Sequence, residues 1–197
     1  MKRHVETGVF HDFNGGEITR QMSLLKQLSQ KKSGIVKKWF DGIIATYPAD
    51  TAQFLGSQKD PFANPVGQTT RENLEVIFDR IVSTADPNTV REFLDPIIRI
   101  RAIQDFTPAK AISWIFNLKD IIRDTLALHA GDEQHLDELS RLERRIDQFG
   151  LLAFDIYMQC REKIYDLKAN EMRARTFSAF SRAGLIKDPV DNDSPAK

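Results

Sequence analysis

The chain has 197 residues, 41% hydrophobic and 28% charged, ordinary values for a soluble globular protein with enough length for one full core. Lys plus Arg and Asp plus Glu each number 28, so the net charge is zero; a phosphate-tracking surface is not expected, and nucleic acid is not an expected partner. The single cysteine, Cys160, excludes an intramolecular disulfide and a multi-cysteine metal site, and no apolar run is long enough to span a bilayer.

The opening residues, MKRHVETGVFHDF, lack the apolar core of a signal peptide, so the cytoplasm is the expected location. Residues 1–21 are polar and without a clear period, which predicts a flexible arm; Met22 is an alternative natural start. A short amphipathic helix is predicted from Ile18 or Met22 through Leu25 and Leu28, with Ser33 and Gly34 as its punctuation. Ile35, Val36, Trp39, Phe40, Ile43, Ile44 and Tyr47 then recur at helical spacing and predict a second helix, which Pro48 stops. After one or two helical turns over Ala49–Leu55 comes DPFANPVG, residues 60–67. Pro61 and Pro65 hold this backbone extended or turned, and Phe62 and Val66 are expected to plug into the core. The stretch reads as a rigid connector or as a pocket wall.

Thr69 and Glu72 have capping-box spacing and are expected to start a helix carrying Leu74, Ile77, Phe78, Ile81 and Val82 on one face. Asp86-Pro87 opens the next, with Val90, Phe93, Leu94, Ile97 and Ile98, and Pro96 is expected to bend it. Thr107 and Pro108 cap and begin a helix running to a stop near Gly131. Its apolar residues, Trp114, Leu118 and Ile121 on one side and Ile112, Ile115 and Phe116 on the other, predict a central element. From about Glu133 to Ala183 there is no proline, and a single long helix is predicted. Leu142, Ile146, Phe149, Ala153, Ile156 and Cys160 step by alternating fours and threes, a candidate seam for a homodimeric coiled coil. Residues 184–197 are expected to be a disordered tail. No strand pattern competes, so the fold class is all-α, with one helical domain over residues 22–183.

Chemistry is sparse. No phosphate loop, nucleophile elbow or zinc signature occurs, and the reading is of a non-enzymatic chain without cofactor. His4 and His11 fall in the arm, and His129 and His135 flank the turn at Gly131, where surface histidines with Asp132 seldom hold metal. The exceptions are polar residues on apolar faces. Arg101, Gln104 and Asp105 continue the stripe of the Pro96 helix, and Lys119 lies inside the stripe Ile112, Ile115, Phe116, Ile122 and Leu126. Arg101 and Asp105, four apart, are placed to pair. Either these charges satisfy one another and fix how two helices cross, or they floor a ligand or partner site to which Trp39, Trp114 and Phe62 also contribute.

DPFANPVG from Asp60, WFDGIIATYP before it and IIRIRAIQDFTPAKAISWIFNLK from Ile97 together resemble the N-terminal domain of RsbR-type RsbT co-antagonists. The segment IRIRAIQDFTP is the most specific part of the resemblance, which spans residue 22 to the long final helix. It implies a globin-like helical bundle without haem, dimeric, serving as the input module of a bacterial stress-signalling scaffold. In that family the last helix continues into a STAS domain that meets the antagonist and the kinase RsbT. This chain ends soon after the helix, so those kinase contacts and phosphorylated threonines do not carry over, and a free-standing sensor or adaptor is expected. Two other readings stand beside it: a small-molecule or lipid carrier with its cavity between the Trp39 and Trp114 helices, and an accessory subunit of a redox or membrane complex.

Overall fold

A computed structural model describes residues 24–83, 86–104, 106–126 and 133–185. The predicted arm, His4, His11, Met22, Asp105, His129, Gly131, Asp132 and residues 186–197 lie outside the described residues. Among the described residues there are α-helices and one 3₁₀ segment and no strand, so the protein is all-α. The helices are α1 (Leu24–Ile44), α2 (Ala49–Ser57), α3 (Pro65–Val82), α4 (Arg91–Ile103), α5 (Pro108–Leu126) and α6 (Glu133–Arg182), with the 3₁₀ turn Pro87–Val90 leading into α4.

The main contacts run from α1 to α5, α6, α4, α3 and back to α1, a closed circuit around one core. Leu28, Ile35, Phe78, Ile81, Leu94, Ile98, Trp114, Leu118, Ile146 and Phe149 meet there, each essentially without solvent exposure. Burial of these apolar side chains is the main favourable term, on the order of 1.5–3 kcal/mol each relative to exposure. Helix ends are tied by side chains. Arg145 of α6 donates to the carbonyls of Val82 (3.2 Å) and Ser83 (2.7 Å) where α3 ends, and Lys31 of α1 donates to Thr125 O (2.8 Å) where α5 ends.

α1 differs from expectation. Ser33 and Gly34 do not divide it; the helix runs unbroken for 21 residues, with both residues exposed in its middle. The flanking turns pack against α3 and α5, and that burial outweighs the weak helix preference of Ser-Gly. A Cβ added at Gly34 would meet nothing within 4 Å. Gly34→Ala is therefore expected to stabilise the protein by up to about 1 kcal/mol, read as a higher urea midpoint at unchanged m-value.

α3 also begins earlier than Thr69 and Glu72 indicate. Its N-cap is Asn64, with Pro65 at the first helical position. Glu72 instead accepts a hydrogen bond from Gln68 Nε2 at 2.7 Å. Nor does Phe62 plug into the core: it is 96% exposed, and Val66 is only half-buried. The plug is Asn64, 2% exposed, whose Nδ2 donates to Leu55 O and Gln58 O (both 3.0 Å) while its Oδ1 accepts from Gly67 N (2.8 Å). Three hydrogen bonds offset the cost of burying this polar side chain, and they fix the connector to α2 and to the start of α3.

α6 extends over 50 residues, about 75 Å at 1.5 Å per residue. Leu142, Ile146, Phe149, Ala153, Ile156 and Cys160 are all buried in the core of the same chain. The seam is thus buried within the molecule, where α6 packs against α4 and α5. A 3–4 spacing records only that one face is covered, not by which chain. From Glu162 onward nearly every described residue is exposed, including Tyr165, Leu167, Met172, Phe177 and Phe180.

Candidate functional site

The corner joining α4 to α5 is built around Arg101, which is 1% exposed. α4 brings it inward on the same face as Leu94, Ile97 and Ile98, all core residues. Its Nη2 donates to Thr46 Oγ1 and to Lys110 O, both at 2.8 Å, so the guanidinium ties the end of α1 to the first turn of α5. Its Cζ lies 4.2 Å from the centre of the Phe106 ring and 5.4 Å from that of Tyr47. The two rings meet edge to face, 5.1 Å apart at 69°. Nε and Nη1 have no hydrogen-bond partner, and no carboxylate among the described residues forms an ion pair with Arg101. The expected pairing with Asp105 falls on a residue outside the described ones.

This is an unusual electrostatic setting. Burial pushes the Arg101 guanidinium below its ordinary pKa, a pull that Tyr47 partly offsets. Burial pushes the Tyr47 phenol up, with Arg101 acting in the opposite sense. Tyr47 O–H donates to Gln104 Oε1 at 3.0 Å. Above these groups a cleft of about 430 Å³ opens to solvent, lined by Thr46, Tyr47, Thr51, Gln104, Phe106 and Lys110 among others.

The long helix grips the same corner. Tyr157, 3% exposed, donates its hydroxyl to Phe106 O, and Arg161 Nη1 donates to Ala102 O at 3.1 Å. These contacts lie in the last buried turns of α6, just before it leaves the core. Neither Tyr157 nor Arg161 was marked by sequence pattern, although both continue the inward face set by Ala153 and Ile156 at helical spacing.

The other candidate residues lie elsewhere. Lys119 does not join Arg101; its Nζ bonds Asp147 Oδ1 of α6 at 2.6 Å, a partly exposed pair of modest worth. Trp39 and Trp114 are both 1% exposed and pack on each other, ring centroids 5.2 Å apart at 46°. Trp39 Nε1 donates to Trp114 O (2.6 Å) and Trp114 Nε1 to Ala111 O (2.8 Å). The rings fill the space in which the carrier reading placed its cavity. Phe116, expected in the buried stripe of α5, is 36% exposed and lies over Gly150, where a Cβ would come within 2.2 Å of its ring. His135 is 7% exposed in the first turn of α6, not on a surface turn, with Nε2 3.4 Å from Gln27 Nε2. Among the described residues no group of three histidine, cysteine or acidic side chains is placed to hold a metal, and no helix is long and apolar enough to cross a membrane. Cys160 is 8% exposed, and burial raises its thiol pKa, the behaviour of a small core residue rather than of a nucleophile.

Comparison with known proteins adds the following. The family model described as the RsbT co-antagonist protein rsbRD N-terminal domain matches residues 33–172. An uncharacterized protein of Archaeoglobus fulgidus is 30% identical over 147 residues, covering 71% of this chain and 83% of its own length. No solved structure matches the chain.

Proposed function

From the chain's membership of the RsbT co-antagonist protein rsbRD N-terminal domain family, we propose that it is a non-enzymatic regulatory input module, globin-like and homodimeric. In this reading the α4–α5 corner receives a signal and α6 reports it, to a protein partner, in the cytoplasm. The observation that carries the reading is the pair of bonds from Tyr157 and Arg161 to the corner, immediately before α6 leaves the core. A shift of Phe106 or Ala102 must either drag these side chains or break their bonds, and both alter the root of the projecting helix. Beyond the root, about 30 Å of helix carries Tyr165, Leu167, Met172, Phe177 and Phe180 on its surface. These side chains find no cover among the described residues, so a second copy of the chain covering them would stabilise the projecting turns.

The test is the solution mass at micromolar concentration, together with affinity capture from the source cells. A mass of two chains, reduced to the 22.5 kDa of one chain by Met172→Glu with Phe177→Glu, and a stable captured partner are the expected results. A single-chain mass with no captured partner overturns the proposal.

A further inference from the structure

We propose that the cleft over Arg101 binds a small organic anion, its carboxylate or phosphate group drawn to Arg101 and Lys110 and its apolar body resting on Tyr47 and Phe106. The inference rests on the reading of the corner as the input site and names the class of ligand it takes.

Four observations converge. Arg101 carries a full charge at 1% exposure, with two of its three nitrogens unpartnered and no described carboxylate to balance it. Such a charge is costly to bury, and an external anion recovers part of that cost, so the empty site and the ligand are thermodynamically coupled. The hydrogen-bond partners of Arg101, Thr46 and Lys110, and the two rings it faces, Tyr47 and Phe106, all line the cleft. Lys110, exposed at the rim, forms no ion pair among the described residues and adds a second positive charge. None of the described lining residues is acidic, and hydroxyl and amide groups of Thr51, Gln104 and Thr107 supply further hydrogen bonds.

Nε and Nη1 are buried and Arg101 is not among the residues lining the cleft, so direct contact with either nitrogen requires a neighbouring side chain to move. Phe106 is the residue whose carbonyl Tyr157 holds. Occupancy of the cleft and the seating of α6 are then linked through one residue, in the direction the input-module reading needs.

Thermal unfolding and amide NMR of the full chain, titrated with sodium benzoate and with sodium phosphate at constant ionic strength against sodium chloride, test this. At a hundredfold excess over Kd, at least one of the two anions should raise Tm by about 5 °C beyond chloride. Amide signals of Gln104, Phe106, Thr107 and Lys110 should move. Lys110→Gln, a surface change, should weaken the response severalfold, and Arg101→Met should abolish it. Benzoate acting alone identifies a carboxylate ligand, and phosphate acting alone a phosphate ligand. If neither anion exceeds chloride, or if both variants respond like the parent, the inference fails. A dimeric, partner-binding chain without anion response overturns this inference and leaves the regulatory reading intact.

Discussion

Gly67→Ala is expected to cost about 3 kcal/mol of stability, a large share of the 5–15 kcal/mol typical of a domain. The alanine Cβ would stand 2.3 Å from Asn64 Nδ2 and 2.7 Å from its Oδ1, well inside contact distance. Asn64 cannot turn aside freely, because it is buried and bonded to Leu55 O, Gln58 O and Gly67 N. Relieving the clash therefore breaks the α3 cap and strands Gln58 O and Gly67 N, at about 1–3 kcal/mol for each buried group left unsatisfied, while Leu55 O keeps its bond from Arg71 Nη2. Asn64→Ala should cost a similar amount for the same reason, while making room for the extra methyl. The double variant should then be scarcely less stable than Asn64→Ala alone. Urea denaturation of the four proteins checks this, and strict additivity would show that Gly67 acts through something other than Asn64.

The second large effect separates the size of Arg101 from its charge. Arg101→Ala should lose about 3 kcal/mol, because it leaves a cavity beneath Tyr47 and Phe106. Arg101→Met keeps most of the volume and removes the charge, and it should be within about 1 kcal/mol of the parent or more stable. The pKa direction fixes the sign. A guanidinium whose folded-state pKa is lowered binds its proton less well in the folded protein, so its charge opposes folding at every pH where it is protonated. Arginine remains protonated throughout the working range, so the difference between parent and Arg101→Met should be flat from about pH 5 to pH 9. A loss of several kcal/mol in Arg101→Met would instead mean that the bonds to Thr46 and Lys110 outweigh the burial of the charge.

Much of the architecture is legible in the residues. The corner at Thr107-Pro108, the opening of α4 after Asp86-Pro87 and the span of α6 rest on local signals that the folded chain keeps: a cap, a proline at the first helical position, a long stretch without breakers. What misleads are the features that tertiary contacts decide. Ser33-Gly34 is a break only if nothing packs on either side of it. Thr69 and Glu72 have the right spacing for a cap, but Asn64 has three partners and wins. The exposure of Phe62 and the burial of His135 depend on which neighbours arrive, which no local pattern records. The heptad-like seam of α6 is real, yet its partner is the chain's own core. At the corner, Arg101 is visible as a charge on an apolar face, and Tyr47 and Tyr157 become part of the site only through contacts 57 and 51 residues away in sequence, to Gln104 and Phe106.

The chain has two tryptophans, and they form one pair at the contact of α1 with α5. Its intrinsic fluorescence is accordingly a single-locus gauge. Emission will follow the separation of these two helices during unfolding and will be nearly blind to fraying of the outer turns of α6. A disagreement between fluorescence and far-ultraviolet circular dichroism in this protein would therefore reveal where melting starts, since the projecting helix contributes heavily to the second signal and scarcely to the first.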